Sequence, residues 1–218
     1  GRLALTGKEF KLPEYVEMTA RYDGTNYTTL KWATCNLGAS SPSDYGDYYA
    51  WGETEPYYYY SEDGSLVWKP NRENGYDCQS YCRNEDFVEW RTAPYDGNKI
   101  LKPEYDAARQ NWGGSWRMPT KQEFQALVDD CDWDWITEGG HKGYKVTDTK
   151  GHSIFLPAAG LRYGSMLLNE GGYGYYWSSS LSTSNSGSAS HLYFSGGYHN
   201  VSDLDDRYLG RSVRPVRE

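Results

Sequence analysis

Gly172-Tyr173-Gly174-Tyr175-Tyr176-Trp177 and Arg211-Ser212-Val213-Arg214-Pro215-Val216 enclose the stretch whose reading decides this chain. Between them, residues 182–210 contain no Glu, Lys, Gln, Met or Trp, although the whole chain carries 14 Glu, 10 Lys, 4 Gln, 3 Met and 9 Trp. At the rate of the remaining sequence about six such residues belong in a stretch of that length, so their absence needs a cause. A compositionally restricted insert inside an aromatic frame points to a recognition surface carried on a scaffold.

Alternation separates the faces of that stretch. On a strand successive side chains point to opposite sides, so Leu192 and Phe194 share one face and His191, Tyr193 and Ser195 the other. The first pair is expected to anchor the core and the second set to meet solvent and ligand. By the same logic Ala189, Val201, Arg207 and Gly210 read as scaffold.

Upstream of the frame the chain mixes helix and strand patterns. Residues 14–20 and 28–34 read as strands around the turn Tyr22-Asp23-Gly24-Thr25-Asn26. Residues 36–56, rich in Gly, Ser, Asp and Tyr, are expected to be ordered loop with short strands. Residues 57–100 are dense in turn formers and tyrosine, and read as an insertion packed by its own aromatics. A short helix is expected within 103–111. A clearer one follows Pro119, where Thr120 and Glu123 match a capping box and Phe124, Leu127, Val128 and Cys131 recur at helical spacing. Its apolar stripe must face a sheet. Residues 143–147 and 153–156 form a hairpin across Asp148-Thr149-Lys150-Gly151, and residues 175–180, 190–195 and 211–216 read as closing strands. With no repeat and no linker, the simplest organisation is one α+β domain over residues 1–218 with a large loop insertion at about 57–100.

Bulk properties narrow the function classes. Lys and Arg total 22 against 30 Asp and Glu, a net charge of −8, and no basic run exceeds two residues. A nucleic-acid partner, bound by counterion release, is therefore not expected. No apolar run approaches membrane-spanning length, and Gly1-Arg2-Leu3-Ala4-Leu5 is too short for a signal peptide, so no membrane insertion by these residues is expected. Hydrophobicity rests on 22 Tyr and 9 Trp, with only 5 Phe. Such side chains bury large areas and keep a polar handle, which suits both a loop-rich core and a binding surface. Core filling accounts for most of the tryptophans, but not obviously for Tyr57-Tyr58-Tyr59-Tyr60. Four cysteines, Cys35, Cys78, Cys82 and Cys131, allow three disulfide connectivities; local pairing of Cys78 with Cys82 and proximity of Cys35 to Cys131 are expected. No matching ligand pair accompanies Cys78 and Cys82, so zinc is not expected.

Longer motifs carry a resemblance. Lys31-Trp32-Ala33-Thr34-Cys35-Asn36-Leu37-Gly38-Ala39, Tyr45-Gly46-Asp47-Tyr48-Tyr49-Ala50-Trp51-Gly52-Glu53-Thr54 and Trp112-Gly113-Gly114-Ser115-Trp116-Arg117-Met118-Pro119-Thr120 resemble the Fibrobacter succinogenes major paralogous domain. So do Phe155-Leu156-Pro157-Ala158-Ala159-Gly160, Tyr176-Trp177-Ser178-Ser179-Ser180 and Ser212-Val213-Arg214-Pro215-Val216. The motifs run in order over roughly residues 14–218. The family is similar to the formylglycine-generating-enzyme branch of the C-type lectin fold, so the resemblance implies that fold.

Some members of this group resemble the variable proteins of diversity-generating retroelements, in which template adenines are randomised on copying into a C-terminal variable region. An AAC or AAT codon changed at its adenines cannot encode Glu, Lys, Gln, Met or Trp, the residue types missing from 182–210. The resemblance therefore implies a non-enzymatic binding or display protein. Its diversifiable, ligand-facing positions would be Ser182, Asn185, Ser188, Ser190, His191, Tyr193, Ser195, Tyr198, His199, Asn200, Ser202, Asp203, Leu204, Asp205, Asp206, Tyr208 and Leu209. Ser, Asn and Gly supply adaptable hydrogen bonds and Tyr rigid contact area, with Tyr193, Tyr198 and Tyr208 as anchors. The implied partner is a protein or glycan on another cell or particle, and the implied location is a cell surface, the medium or a phage particle. A rival is an undiversified, structural or polysaccharide-associated surface protein of the same family.

A third class, an oxidase of the formylglycine-generating type, needs a reactive cysteine pair late in the domain, and residues 191–216 contain no cysteine. Iron oxidases need a histidine triad, and His141, His152, His191 and His199 lack ligand-like spacing. Neither a catalytic residue nor a cofactor is expected. The calcium-binding triplets of C-type lectins do not occur. Asp203, Asp205 and Asp206 could hold Ca2+, but read more simply as a solvated acidic loop, and Asp129, Asp130, Asp132 and Asp134 around the helix end read as a solvated face, so no metal is expected. Arg117 and Arg214 read as buried ties between loops rather than ligand contacts.

Overall fold

The computed structural model describes residues 13–81 and 94–218 as an α+β arrangement: short strands in small sheets, with few helices. Strands β1 (Tyr15–Ala20) and β2 (Thr28–Ala33) pair across the expected turn, where the Asp23 carboxylate accepts from the amides of Thr25 and Asn26. Strands β3 (Tyr58–Tyr60) and β4 (Leu66–Trp68) form a small hairpin in the insertion. Strands β5 (Asp132–Glu138), β6 (His141–Thr147) and β7 (Ser153–Pro157) make a meander, and β8 (Leu161–Tyr163) pairs with β9 (Met166–Leu168). Strands β10 (Tyr173–Leu181), β11 (Ser188–Ser195) and β12 (Tyr198–Asp206) form the sheet that carries the C-terminal tract. Finally β13 (Val216–Arg217) adds to β2, so the end of the chain closes the first sheet.

The helix Lys121–Asp130 begins as its sequence requires. The Thr120 side chain accepts from the Glu123 amide, and the Glu123 carboxylate accepts from the Thr120 amide. Phe124 and Leu127 are wholly buried in a core with Trp32, Tyr144, Tyr176, Leu192 and Phe194. The Phe124 and Trp32 rings lie 5.6 Å apart. The expected short helix is a 3-10 turn, Pro103–Tyr105, followed by the helix Ala107–Trp112, which Asp106 caps through the Arg109 amide.

Arg214 ties the loops around this core. Fully buried, it donates to the carbonyls of Ala33, Thr34 and Phe155 and to Asn36 Oδ1. That is the structural role its place beside the framework motifs suggested. Arg117 departs from that expectation: it is half-buried, its guanidinium makes a two-pronged pair with Glu123 six residues on, and its link to Val216 is made by its backbone.

Several expectations need correcting. Strand β5 was not anticipated: Asp132-Trp133-Asp134-Trp135 is an alternating strand whose exposed aspartates follow the period of two while both tryptophans turn toward Tyr144 and Phe194. Strand β12 was not anticipated either. Of 211–216, only Val216 enters a named strand, while Arg211 and Ser212 make isolated bridges to Tyr49 and Tyr176. The insertion is not packed by its own aromatics alone. Tyr57, Tyr58, Tyr76 and Tyr81 share a cluster with Tyr48, Ala159 and Tyr208 from outside it. Cys35 and Cys131 are free thiols, so the pairing between them is not formed. The pairing of Cys78 with Cys82 lies outside the described residues.

Candidate binding surface

Register decides what the last sheet presents. Tyr175 pairs with Tyr193 and Tyr193 with Asn200; one step toward the turn, Tyr173 pairs with Ser195 and Ser195 with Tyr198. These side chains share one face because a pleated strand alternates and antiparallel partners point the same way. The opposite face carries Tyr176, Leu192, Phe194 and Val201 into the helix-backed core. Leu192 and Phe194 are fully buried, as expected. Gly174 lies opposite Phe194 because nothing larger fits: a Cβ there would sit 2.0 Å from the Phe194 ring. The β11–β12 turn uses Gly197 at φ +97°, a conformation that suits a two-residue hairpin connection and strains other residues.

The outward face is a cluster of tyrosines. Ring centroids lie 6.3 Å apart for Tyr173 and Tyr175, 6.0 Å for Tyr173 and Tyr193, 5.2 Å for Tyr175 and Tyr193, and 5.7 Å for Tyr193 and Tyr198. Tyr173 and Tyr198 are exposed, and Tyr175 and Tyr193 are half-buried. Asn200 donates to the Tyr198 hydroxyl and Asn169 to that of Tyr175, so polar groups fix the rim. Mutual ring contact fixes these side chains before any partner arrives, which reduces the ordering cost of binding.

The face is open only at this end. Toward β10's other end Trp177 is fully buried in a second core with Leu37, Tyr49, Trp51, Ala189 and Leu209. His191 is covered there, edge-on to Trp177 at 5.9 Å and buried, which corrects its expected exposure. Strand parity alone gives the correct side but not what lies on top of it. Burial, and then the charge of Arg211, hold the His191 imidazole well below its ordinary range, so it is neutral near pH 7. Its 3.9 Å approach to Asp205 is therefore not an ion pair. Arg211 is fully buried between Tyr175 and Trp177, and its guanidinium pairs with Asp205. Burial draws it down to about 10, against the pull of the Asp205 carboxylate, and it stays charged.

The remaining ligand-facing candidates divide plainly. Ser195, Asn200 and Ser202 join Tyr193 and Tyr198 on or beside the open face, while Asn185, Leu204 and Asp206 are exposed on loops and edge. Tyr208 is half-buried, with its ring 6.4 Å from Tyr163. Ser182, Ser188, Ser190 and Leu209 are buried, which corrects their reading as ligand-facing. Ser190 shares the parity of Leu192 and Phe194 and hydrogen-bonds Asp203, so alternation would have found it. Leu209 fills the second core. His199 is half-buried on the inward side, stacked 4.5 Å from Trp133, and Asp203 turns to Lys121 at the start of the long helix. Sequence reading missed Tyr173, Tyr175 and Arg211, which belong to this surface or its floor although they lie in the frame. The period-two pair Tyr173-x-Tyr175 was the available signal.

Among the described residues no group of three or more His, Cys, Asp or Glu is placed to hold a metal ion, and no helix is long and apolar enough to cross a membrane. Comparison with family models, curated proteins and solved structures gives no match.

Proposed function

We propose that this chain is a non-enzymatic binding or display protein with a C-type-lectin-like fold of the formylglycine-generating-enzyme type. Its partner is a protein or glycan on another cell or particle, met at a cell surface, in the medium or on a phage particle. The observation that carries this reading is the open face built by Tyr173, Tyr175, Tyr193 and Tyr198, backed by a closed core under Leu192 and Phe194. The residue types absent from 182–210 support retroelement diversification of that face. Outward positions such as Tyr193, Tyr198 and Asn200 can change without touching what lies beneath, whereas inward ones cannot.

The DNA beside the gene tests this. The expected finding is a near-identical template repeat with adenines at the codons for Tyr193, Tyr198 and Asn200, together with a reverse transcriptase. Absence of both removes diversification. It then leaves the second reading, an undiversified surface or polysaccharide-associated protein, which the burial of Ser182, Ser188, Ser190, His191 and Leu209 within the tract favours. Copper- or iron-dependent oxygen uptake would instead revive the oxidase class.

A further inference from the structure

A buried cation lies beneath the open rings, and the tyrosine cluster does not account for it. The Arg211 guanidinium is fully buried, 5.1 Å from the Tyr175 ring and 4.3 Å from the Trp177 ring. Among the described residues its ion-pair partner is Asp205, and its Nε and Nη1 have no hydrogen-bond partner there. A guanidinium offers a planar fork of donors that suits a carboxylate, and one left uncompensated in a protein interior is strongly destabilising. Asp205 answers that need from the tract, while Arg211 stands in the frame. The two differ in access: the Asp205 side chain is 31% exposed and that of Arg211 not at all. The Asp205 side chain therefore runs from partly exposed surface to the buried guanidinium. Neutral His191, with Nε2 3.9 Å from Asp205, lines its side.

We propose that Arg211 is a fixed anion receptor under the binding face, that Asp205 is its resident carboxylate, and that the residue at 205 decides whether the face accepts a carboxylate-bearing ligand. With Asp205 in place the receptor is filled from within, and the face selects partners through its tyrosines. With a small neutral residue at 205 the same face gains a socket the size of a carboxylate, floored by Arg211 and walled by Tyr175. This inference rests on the outward sheet face being the binding surface, and it names the ligand chemistry that one position controls.

The test uses Asp205→Ala, the double variant Asp205→Ala/Arg211→Met, and the unaltered chain, each melted in sodium acetate and in sodium chloride of equal ionic strength. Asp205→Ala is expected to melt lower than the unaltered chain in chloride and to gain from acetate in a saturable way. A tenfold excess over the acetate Kd should raise its Tm by about 3–6 °C. The other two proteins should show no acetate-specific gain. If Asp205→Ala does not fold in chloride, acetate is expected to restore folding, and failure to do so overturns the proposal. So does a folded Asp205→Ala that responds to acetate no more than the double variant. Glucuronate in place of acetate reports whether the Tyr175 wall holds the rest of an acidic sugar: tighter binding than acetate assigns the ligand to that class, and equal binding assigns the carboxylate alone. An acetate response without a template repeat beside the gene would keep the socket and remove diversification, and the converse result would do the reverse.

Discussion

Tyr193 and Phe194 are neighbours in sequence on opposite faces of one strand, and their truncations should differ sharply. Phe194 is fully buried, with ring centroids 5.4 Å from Tyr144, 5.8 Å from Tyr176, 6.2 Å from Trp133 and 6.3 Å from Trp135. Phe194→Ala removes that packing and leaves a cavity walled by stiff aromatics that collapse poorly, which costs about 3–5 kcal/mol. Tyr193 touches Tyr173, Tyr175 and Tyr198 on a solvated face. Tyr193→Ala exposes little that was dry, and loses about 1 kcal/mol of ring–ring contact. For a chain of this size each kcal/mol moves Tm by about 2–4 °C, so Phe194→Ala should melt roughly 6–20 °C lower and Tyr193→Ala about 2–4 °C lower. Urea unfolding by intrinsic fluorescence measures both, with an unchanged m-value as the sign that the same structure is lost. Equal losses, or a larger loss for Tyr193→Ala, would refute the assignment of inner and outer faces.

Other consequences are independent of that pair. Gly174→Ala places a Cβ 2.0 Å from the Phe194 ring, and should cost about 1–3 kcal/mol by overpacking. In a Phe194→Ala background that cost should largely vanish, which a double-mutant cycle in urea reads directly. For Asp148, burial raises the carboxyl, but hydrogen bonds from the Thr19, His152 and Lys150 amides outweigh it and hold the group below its ordinary range. A depressed folded value means the stabilisation is complete above the unfolded value of about 3.9 and is lost as pH falls through the folded one. The urea midpoint should therefore fall below about pH 4, and Asp148→Asn should flatten that limb. Cys35 and Cys131 should both take up iodoacetamide in denaturant without reductant, read by peptide mass spectrometry; protection of either would contradict their free thiols.

What the sequence made legible were the elements whose local chemistry and tertiary setting agree. Thr120 and Glu123 announced the helix because a capping box satisfies its first amides wherever it occurs. The strands around Asp23, and those around Asp148, carry both the alternation and the turn residues. Strand β12 did not, because Tyr198-His199-Asn200-Val201-Ser202-Asp203-Leu204-Asp205-Asp206 is poor in strand formers, and its half-buried pattern breaks at a register shift opposite Ala189 and His191. Pairing to β11 makes it a strand, and that is tertiary context rather than propensity. Strand β5 is legible in principle, since exposed aspartates in strict alternation with tryptophan belong to a half-buried strand rather than to a solvated face at the helix end.

The binding face shows the same limit. Parity assigned Leu192, Tyr193 and Phe194 to the sides the structure gives them, yet put His191 in solvent, because alternation cannot see the second core closing over Trp177. Leu209 escaped for a related reason. It is buried in a core shared with Trp177 and Ala189, distant in sequence. Tyr173 and Tyr175 lie outside the compositionally restricted tract, so composition does not mark them, while the sheet joins tract and frame into one surface.

Randomising codons 193, 195, 198 and 200 together, and codons 192, 194 and 201 in a second library, measures the separation of surface from support in one experiment. The readout is the fraction of each library that survives protease on a displaying cell. Most of the outward library should survive and nearly all of the inward library should be lost. Equal survival of the two would mean that no fixed support underlies a changeable face.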